Sequence, residues 1–173
     1  IKINSAADYE KSLRDNFVML DPEERRRKIS NEVAKIKSDL GLETIDDESK
    51  SPLFTEITGL CEWPTALVAS IDKKFMDLPS EILVLTLKLN QKYLCLKDSN
   101  EALSEKFIFI TNAVLNKNNA EQIIKDNEAL VRARLNDAQF FIEEDLKQPL
   151  ISRLDSIKQV VFHQKLGSVY DRT

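Results

Sequence analysis

Histidine and cysteine, the side chains that most often serve as catalytic base or nucleophile, are scarce in this chain. They are one histidine, His163, and two cysteines, Cys61 and Cys95, and the carboxylates weighed with them are the run Glu143-Glu144-Asp145. General acid–base catalysis needs paired carboxylates, or a carboxylate with a histidine, converging in one cleft. Three consecutive carboxylates on a helical pattern point in different directions, and one histidine near the C-terminal end makes no Ser-His-Asp or Cys-His arrangement. No catalytic residue is assigned. Structural zinc needs four Cys or His ligands, and this chain has three such residues scattered along its length, so no metal site is assigned either. Gly41, Gly59 and Gly167 lie too far apart to build a phosphate-cradling loop, which excludes P-loop and Rossmann readings. The chemistry left is that of cations. Arg25-Arg26-Arg27-Lys28 is a four-residue run in the first turns of a predicted helix. Such a run spreads around most of the helix circumference, so it reads as a solvated surface, with RNA contact the weaker reading.

These residues sit in a chain of 173 residues, 42% hydrophobic and 31% charged, enough for one well-buried domain. The net charge of −4 is concentrated in residues 41–65, which carry one basic and six acidic groups. The rest of the surface is close to neutral and does not repel a polyanion. Two unpatterned cysteines point to a reducing compartment, with Cys95 between Leu94 and Leu96 read as a buried apolar residue. No apolar run approaches the length that crosses a bilayer and no signal-peptide pattern opens the chain, so a cytoplasmic protein without a membrane partner is expected. The chain opens at Ile1 without a methionine and stops in a helix-compatible stretch, Tyr170-Asp171-Arg172-Thr173, so a piece of something longer is expected.

The elements that must position these residues follow from periodicity. Ile1-Lys2-Ile3 alternates, and Asn4-Ser5 with Asp8 predicts a capping box opening a helix to about Asp15, with Ala6, Tyr9 and Leu13 on its buried face. Phe17-Val18-Met19-Leu20 reads as a short strand. Asp21-Pro22-Glu23-Glu24 predicts a helix start with proline at its first position, and Ile29, Val33, Ile36 and Leu40 share one face before Gly41 stops it. An acidic loop is predicted over 43–52, a short helix over Pro52 to Leu60, a turn at Trp63-Pro64 and a buried strand over Thr65–Ser70. Leu78-Pro79-Ser80-Glu81 starts a helix carrying Ile82, Leu83, Leu85 and Leu87. Tyr93–Lys97 and Lys106–Thr111 predict an antiparallel hairpin with a longish loop. From Asn119, Ile123, Ile124, Leu130, Val131, Leu135, Ala138, Phe141 and Ile142 recur at helical spacing to a stop before Pro149, followed by a second helix with Leu150, Leu154 and Ile157. Val160-Val161-Phe162 reads as a strand or core plug. The expected class is α+β, a mixed or antiparallel sheet of short strands packed with several helices and a helix-rich C-terminal half. One domain is expected over 1–165, with 166–173 starting a following helical domain.

Several stretches resemble a known family. Asn127-Glu128-Ala129-Leu130-Val131-Arg132-Ala133-Arg134-Leu135, continuing to Lys147, resembles the NE-x-VVRARL-x-DA-x-FF-x-x-D segment of the β subunit of bacterial heterotetrameric glycyl-tRNA synthetase. Cys61-Glu62-Trp63-Pro64 is similar to its EWP, Gln91-Lys92-Tyr93 to its QKYF, and Val161–Thr173 to its FQ-x-KLGS-x-x-DKT. The opening is similar to an N-A-x-x-Y helix start before an ER-x-x-KI segment. The order holds across the chain, with Leu94 where the family often has Phe and His163 where it often has Gln.

The resemblance implies an internal region of the β subunit ending just before a His-Asp phosphohydrolase-like domain. It implies a noncatalytic role in tRNA binding and placement within an α2β2 glycine–tRNA ligase. The α subunit would use ATP and Mg²⁺ to glycylate tRNA(Gly), and this region would bind no cofactor. The implied partners are the α subunit, tRNA(Gly) and the remaining β domains. The implied phosphate contacts are Arg132, Arg134 and Lys92, with Arg25, Arg26, Arg27 and Lys28 weaker. Arg132 and Arg134 diverge by about 200° on a regular helix and cannot both face one ligand, and one is expected to pair with Glu128 or Asp137. Trp63 reads as a turn anchor before a base-stacking platform. The alternatives are a purely structural scaffold and, less favoured, a hydrolytic editing-type domain.

Overall fold

The structure, a computed structural model, describes residues 3, 5–48, 50–116 and 119–172. The expected alternation at Ile1-Lys2-Ile3 and the expected cap residue Asn4 involve residues outside that range. The chain divides into two compact units, Ile1–Leu135 and Asn136–Thr173.

The first unit is built on a four-stranded, wholly antiparallel sheet of order β1-β3-β4-β2. Its strands are β1 (Glu43–Thr44), β2 (Pro64–Ser70), β3 (Leu94–Lys97) and β4 (Leu103–Asn112). The helices are α1 (Tyr9–Asp15), α2 (Pro22–Leu40), α3 (Pro52–Leu60), α4 (Ser80–Leu85) with a π-helical turn over Thr86–Asn90, and α5 (Ala120–Leu146), whose residues to Leu135 belong here. Side chains alternate across a strand, so β2, β3 and β4 each feed two cores. Leu94, Leu96 and Ile108 meet Ile29, Val33, Leu53, Phe54 and Ile57 of α2 and α3. Tyr93, Cys95, Phe107 and Phe109 meet Leu83, Leu87, Val131 and Leu135 on the other face. Burial on both faces explains why Phe107-Ile108-Phe109-Ile110 is continuously apolar. Burial also pushes the Cys95 thiol up to about 12.

The starts and stops of α2 are as expected. The Asp21 side chain accepts from Glu23 N–H at 2.9 Å, Pro22 is the first helical residue, and Gly41 ends the helix at φ 65°. The β3–β4 hairpin and the Pro52–Leu60 helix also form where the pattern places them.

Four expectations at the N-terminal side are corrected. Ser5 Oγ donates to the Asp8 carboxylate at 2.7 Å and caps no backbone amide, so the capping box does not form. No residue of α1 is buried, and Tyr9 is exposed. Phe17–Leu20 is not a strand. Phe17 N–H donates to Arg14 C=O and Val18 N–H to Leu13 C=O, the paired bonds of a Schellman stop, with Phe17 at φ 62° where glycine is usual. Glu43–Thr44, expected as loop, pairs with β3 as the edge strand β1.

The Asn136–Thr173 unit holds the C-terminal part of α5, a short helix α6 (Leu154–Ile157) after a 3-10 turn at Leu150–Arg153, and an antiparallel pair β5 (Val161–His163) and β6 (Gly167–Ser168). The helix expected around Leu150, Leu154 and Ile157 is therefore split, and the Val160–Phe162 run is an exposed strand segment, not a core plug. The boundary expected between 165 and 166 falls inside the β5–β6 hairpin. Gly167 adopts φ 89°, and a Cβ there would collide with the Asp171 carboxylate, which accepts from Ser168 N–H at 2.7 Å and Ser168 Oγ at 2.8 Å.

Candidate nucleic-acid interface

The cationic run on α2 is not a solvated face. Arg25 Nη1 donates to Met19 C=O at 3.0 Å, tying the chain before α2 to its first turn. Arg26 reaches across to α3 and the acidic segment. Its Nη2 donates to Glu48 C=O at 3.0 Å and Nη1 to Thr55 Oγ1 at 3.3 Å, with the guanidinium 5.0 Å from the centre of the Phe54 ring. Lys28 Nζ sits 2.5 Å from both Glu32 Oε1 and Pro64 C=O. Arg27 alone stays largely in solvent, 4.0 Å from Asp21. The physical reason is that the first two turns of α2 are flanked by backbone carbonyls that neither helix nor sheet satisfies, and guanidinium and ammonium groups supply the missing donors.

Lys28 belongs to a larger device. β2 is a sheet edge, and residues 64, 66 and 70 turn their backbone groups away from β4. Lys28 binds Pro64 C=O, Glu32 accepts from Ala66 N–H at 2.7 Å, and Glu128 of α5 accepts from Ser70 N–H at 2.9 Å. Side chains from two helices thus close an edge that would otherwise be open to strand addition. The i, i+4 spacing of Lys28 and Glu32 was readable in the sequence. Their target strand, more than thirty positions away, was not.

The motif on α5 resolves into separate roles. Asn127 Oδ1 accepts from the Tyr93 hydroxyl at 2.5 Å, and Tyr93 stacks on Phe107 with ring centres 5.1 Å apart. Val131 and Leu135 are buried. Arg132 grips Asp72 with Nε and Nη2 at 2.6 and 3.1 Å, so its partner is neither Glu128 nor Asp137. Glu128 is already committed to Ser70. The hydrogen bond from Arg132 holds the Asp72 carboxyl below the usual carboxylate range. A lowered native value contributes stability that is complete well above about pH 4 and is lost as pH falls through the native value. Asp72→Asn is therefore expected to lower the urea midpoint slightly at neutral pH. The difference from wild type should vanish in strongly acidic buffer, and a difference independent of pH would contradict the pairing.

Lys92, at φ 61° after the π-helical turn, pairs with Glu56 at 3.1 Å. Trp63 is half-buried and meets Phe17 edge-on at 5.5 Å, while Asn112 Oδ1 accepts from the backbone N–H of Glu62 and Trp63 at 3.0 and 2.7 Å. The Cys61–Pro64 motif is thus a turn locked by Asn112. Helix α5 is unbroken between Arg132 and Arg134, so the two diverge as expected. Among the described arginines, Arg134 alone has a side chain with no hydrogen bond, ion pair or ring contact.

The first unit also holds an open cleft of about 770 Å³ between α2, β1 and the β3–β4 loop. Six carboxylates line it, those of Glu43, Asp46, Asp47, Glu48, Asp98 and Glu101, against Arg26, Lys37 and Lys97. That balance disfavours a phosphate ligand. Among the described residues no group of three His, Cys, Asp or Glu is placed to hold a metal ion. Glu143 accepts from Gln139 at 2.8 Å, Glu144 pairs with Lys147, and Asp145 lies 3.5 Å from Arg153. In the second unit His163 Nδ1 accepts from Lys165 N–H at 3.2 Å inside the β5–β6 turn. No helix among the described residues is long and apolar enough to cross a membrane.

A family model described as the glycyl-tRNA synthetase beta subunit matches residues 1–173. Curated glycine–tRNA ligase beta subunits are among the relatives. Those of Streptococcus agalactiae serotype Ia, Pseudomonas fluorescens strain Pf0-1 and Pseudomonas syringae pv. tomato are 38%, 40% and 41% identical over 170, 172 and 172 residues. The matches cover 98%, 99% and 99% of this chain and 24% of each relative.

Proposed function

The chain belongs to the glycyl-tRNA synthetase beta subunit family, and from that premise we propose that it is a noncatalytic placing module of a glycine–tRNA ligase, with Arg134 as its contact to tRNA phosphate. In this reading the α subunit of an α2β2 enzyme in the cytoplasm glycylates tRNA(Gly) with ATP and Mg²⁺. The present region helps to hold the tRNA that receives the glycine.

The observation that carries the contact is the uncommitted guanidinium of Arg134 on the exposed face of α5. A free guanidinium pays no internal bond to meet a phosphate, whereas Arg132, Lys92, Arg25, Arg26 and Lys28 would each release an intramolecular partner. Phosphate contacts position an RNA without reading its sequence, which suits a placing role. The test is tRNA binding by the α2β2 enzyme across a KCl series. Arg134→Ala is expected to weaken binding several-fold and to reduce the salt slope by about 0.7–0.9, the share of one phosphate. Arg132→Ala should leave that slope unchanged. An unchanged slope for Arg134→Ala removes the contact.

A second reading, a scaffold without direct tRNA contact, is favoured by the commitment of the α2 cations to α3, β2 and the chain before α2. It expects loss of association with the α subunit in variants of those cations, with tRNA salt dependence intact.

A further inference from the structure

The four-stranded sheet has two edges, and the chain treats them differently. At β2 the outward backbone groups of Pro64, Ala66 and Ser70 are taken by Lys28, Glu32 and Glu128. At the other edge Glu43 and Thr44 lie opposite Lys97 and Leu96, and Ile45 N–H donates to Cys95 C=O at 3.0 Å. Antiparallel bonding alternates from residue to residue, so Glu43 and Ile45 face β3 while Thr44 turns its N–H and C=O outward. Among the described residues nothing bonds to either of these two groups. Thr44 lines the open cleft of about 770 Å³ beside α2, so its outward groups have room for a partner. A strand edge left uncapped is a template for a further strand.

We propose that the β1 edge is a docking site for an extended peptide segment rich in lysine or arginine, which adds as a strand beside Thr44. Three observations select that occupant. Six carboxylates line the cleft against three cations, an excess that attracts a basic chain and repels an acidic one or an RNA phosphate. Among the described residues no three of these carboxylates converge as metal ligands. Charges spread along an edge match cations spaced along an extended chain, whose alternate side chains share one face. Finally, the Ser51 hydroxyl, in a residue only 7% exposed, has no hydrogen-bond partner, and the cavity it lines shares Thr44, Asp46 and Glu48 with the cleft. Buried polar atoms are almost always paired in a folded protein, so this hydroxyl points to a group that the chain itself does not provide. A lysine ammonium is a donor of that kind. The proposal does not depend on the Arg134 contact.

Two measurements on the full-length β subunit at low ionic strength test it. They are the fluorescence anisotropy of labelled acetyl-Lys-Thr-Lys-Thr-Lys-Thr-amide and amide hydrogen exchange read at single residues. Binding that weakens as KCl is added is expected, together with several-fold slower exchange of the Thr44 N–H. Thr44→Pro removes that donor without removing a bond to β3, and proline is tolerated on a strand edge whose N–H faces outward. This variant should bind the peptide several-fold more weakly. Because proline also stiffens β1, the unaltered subunit is tested with the same peptide N-methylated at every residue, which keeps the charges and loses the amide donors. It too should bind several-fold more weakly. Displacement of the labelled peptide by the N-methylated form, by the corresponding Glu-Thr peptide or by spermidine at the concentration effective for the unlabelled peptide overturns the proposal. So do absent binding and a Thr44 amide that exchanges at the same rate with and without the peptide.

Discussion

Phe107→Ala is expected to cost about 3–5 kcal/mol, a large fraction of the about 5–15 kcal/mol that holds a typical domain folded. Phe107 has no exposed surface and occupies the centre of β4, stacked on Tyr93 and tilted against Phe109 at 6.5 Å. Its removal opens a cavity beneath Val131 and Leu135 of α5, so the helix that carries Arg134 loses its footing together with the sheet. Urea denaturation followed by the circular dichroism of the helices is the measurement. A loss under about 1 kcal/mol would mean that the core closes around the gap, contrary to the packing described. Phe107→Leu, which keeps most of the volume, should recover much of the loss.

Arg26→Ala is the second large effect, expected at about 1.5–3 kcal/mol, although the residue stands in a run of four charges that pattern reading assigns to solvent. The loss combines two hydrogen bonds, to Glu48 C=O and Thr55 Oγ1, with the cation–π contact over Phe54, and it leaves a half-buried carbonyl without a donor. Arg26→Lys keeps the charge and loses the planar fork, so it should recover only a minor part. Arg27→Ala in the same run should stay within about 0.5 kcal/mol, because Arg27 touches only the distant Asp21 carboxylate. Chemical denaturation of the three variants measures the contrast. Equal, small losses for Arg26→Ala and Arg27→Ala would return the run to the solvent.

The legible parts of the fold are those where a local rule and the tertiary demand agree. α2 starts at Asp21-Pro22 and ends at Gly41 because capping and left-handed termination involve only neighbouring residues. The hairpin of β3 and β4 is legible because two apolar runs flank one polar loop. Phe17 shows the opposite. The stop of α1 uses a phenylalanine in the left-handed region, a conformation that costs an L-residue about 1–2 kcal/mol and carries no sequence signal. Its apolar run therefore reads as a strand. β1 carries no such signal either, because two residues in an acidic segment become a strand only when β3 offers them its edge.

The candidate site divides along the same line. The short motifs on α5, at Trp63 and at Lys92, with their order along the chain, already identified the family, because residue identity in register is a local property. The divergence of Arg132 and Arg134 followed from helix geometry alone. Which cations are free was decided by contacts between residues far apart in sequence. Arg132 meets Asp72 sixty positions away, Lys28 meets Pro64 thirty-six positions away, and Arg26 meets Thr55 twenty-nine positions away. An ionic or hydrogen-bonded partner costs nothing to find when it lies one helical turn off, and periodicity reveals it. A partner brought in by the sheet exists only once the sheet has formed. Charge, class and kinship were therefore settled by the order of the residues, while the assignment of each cation to structure or to solvent was made by the packing.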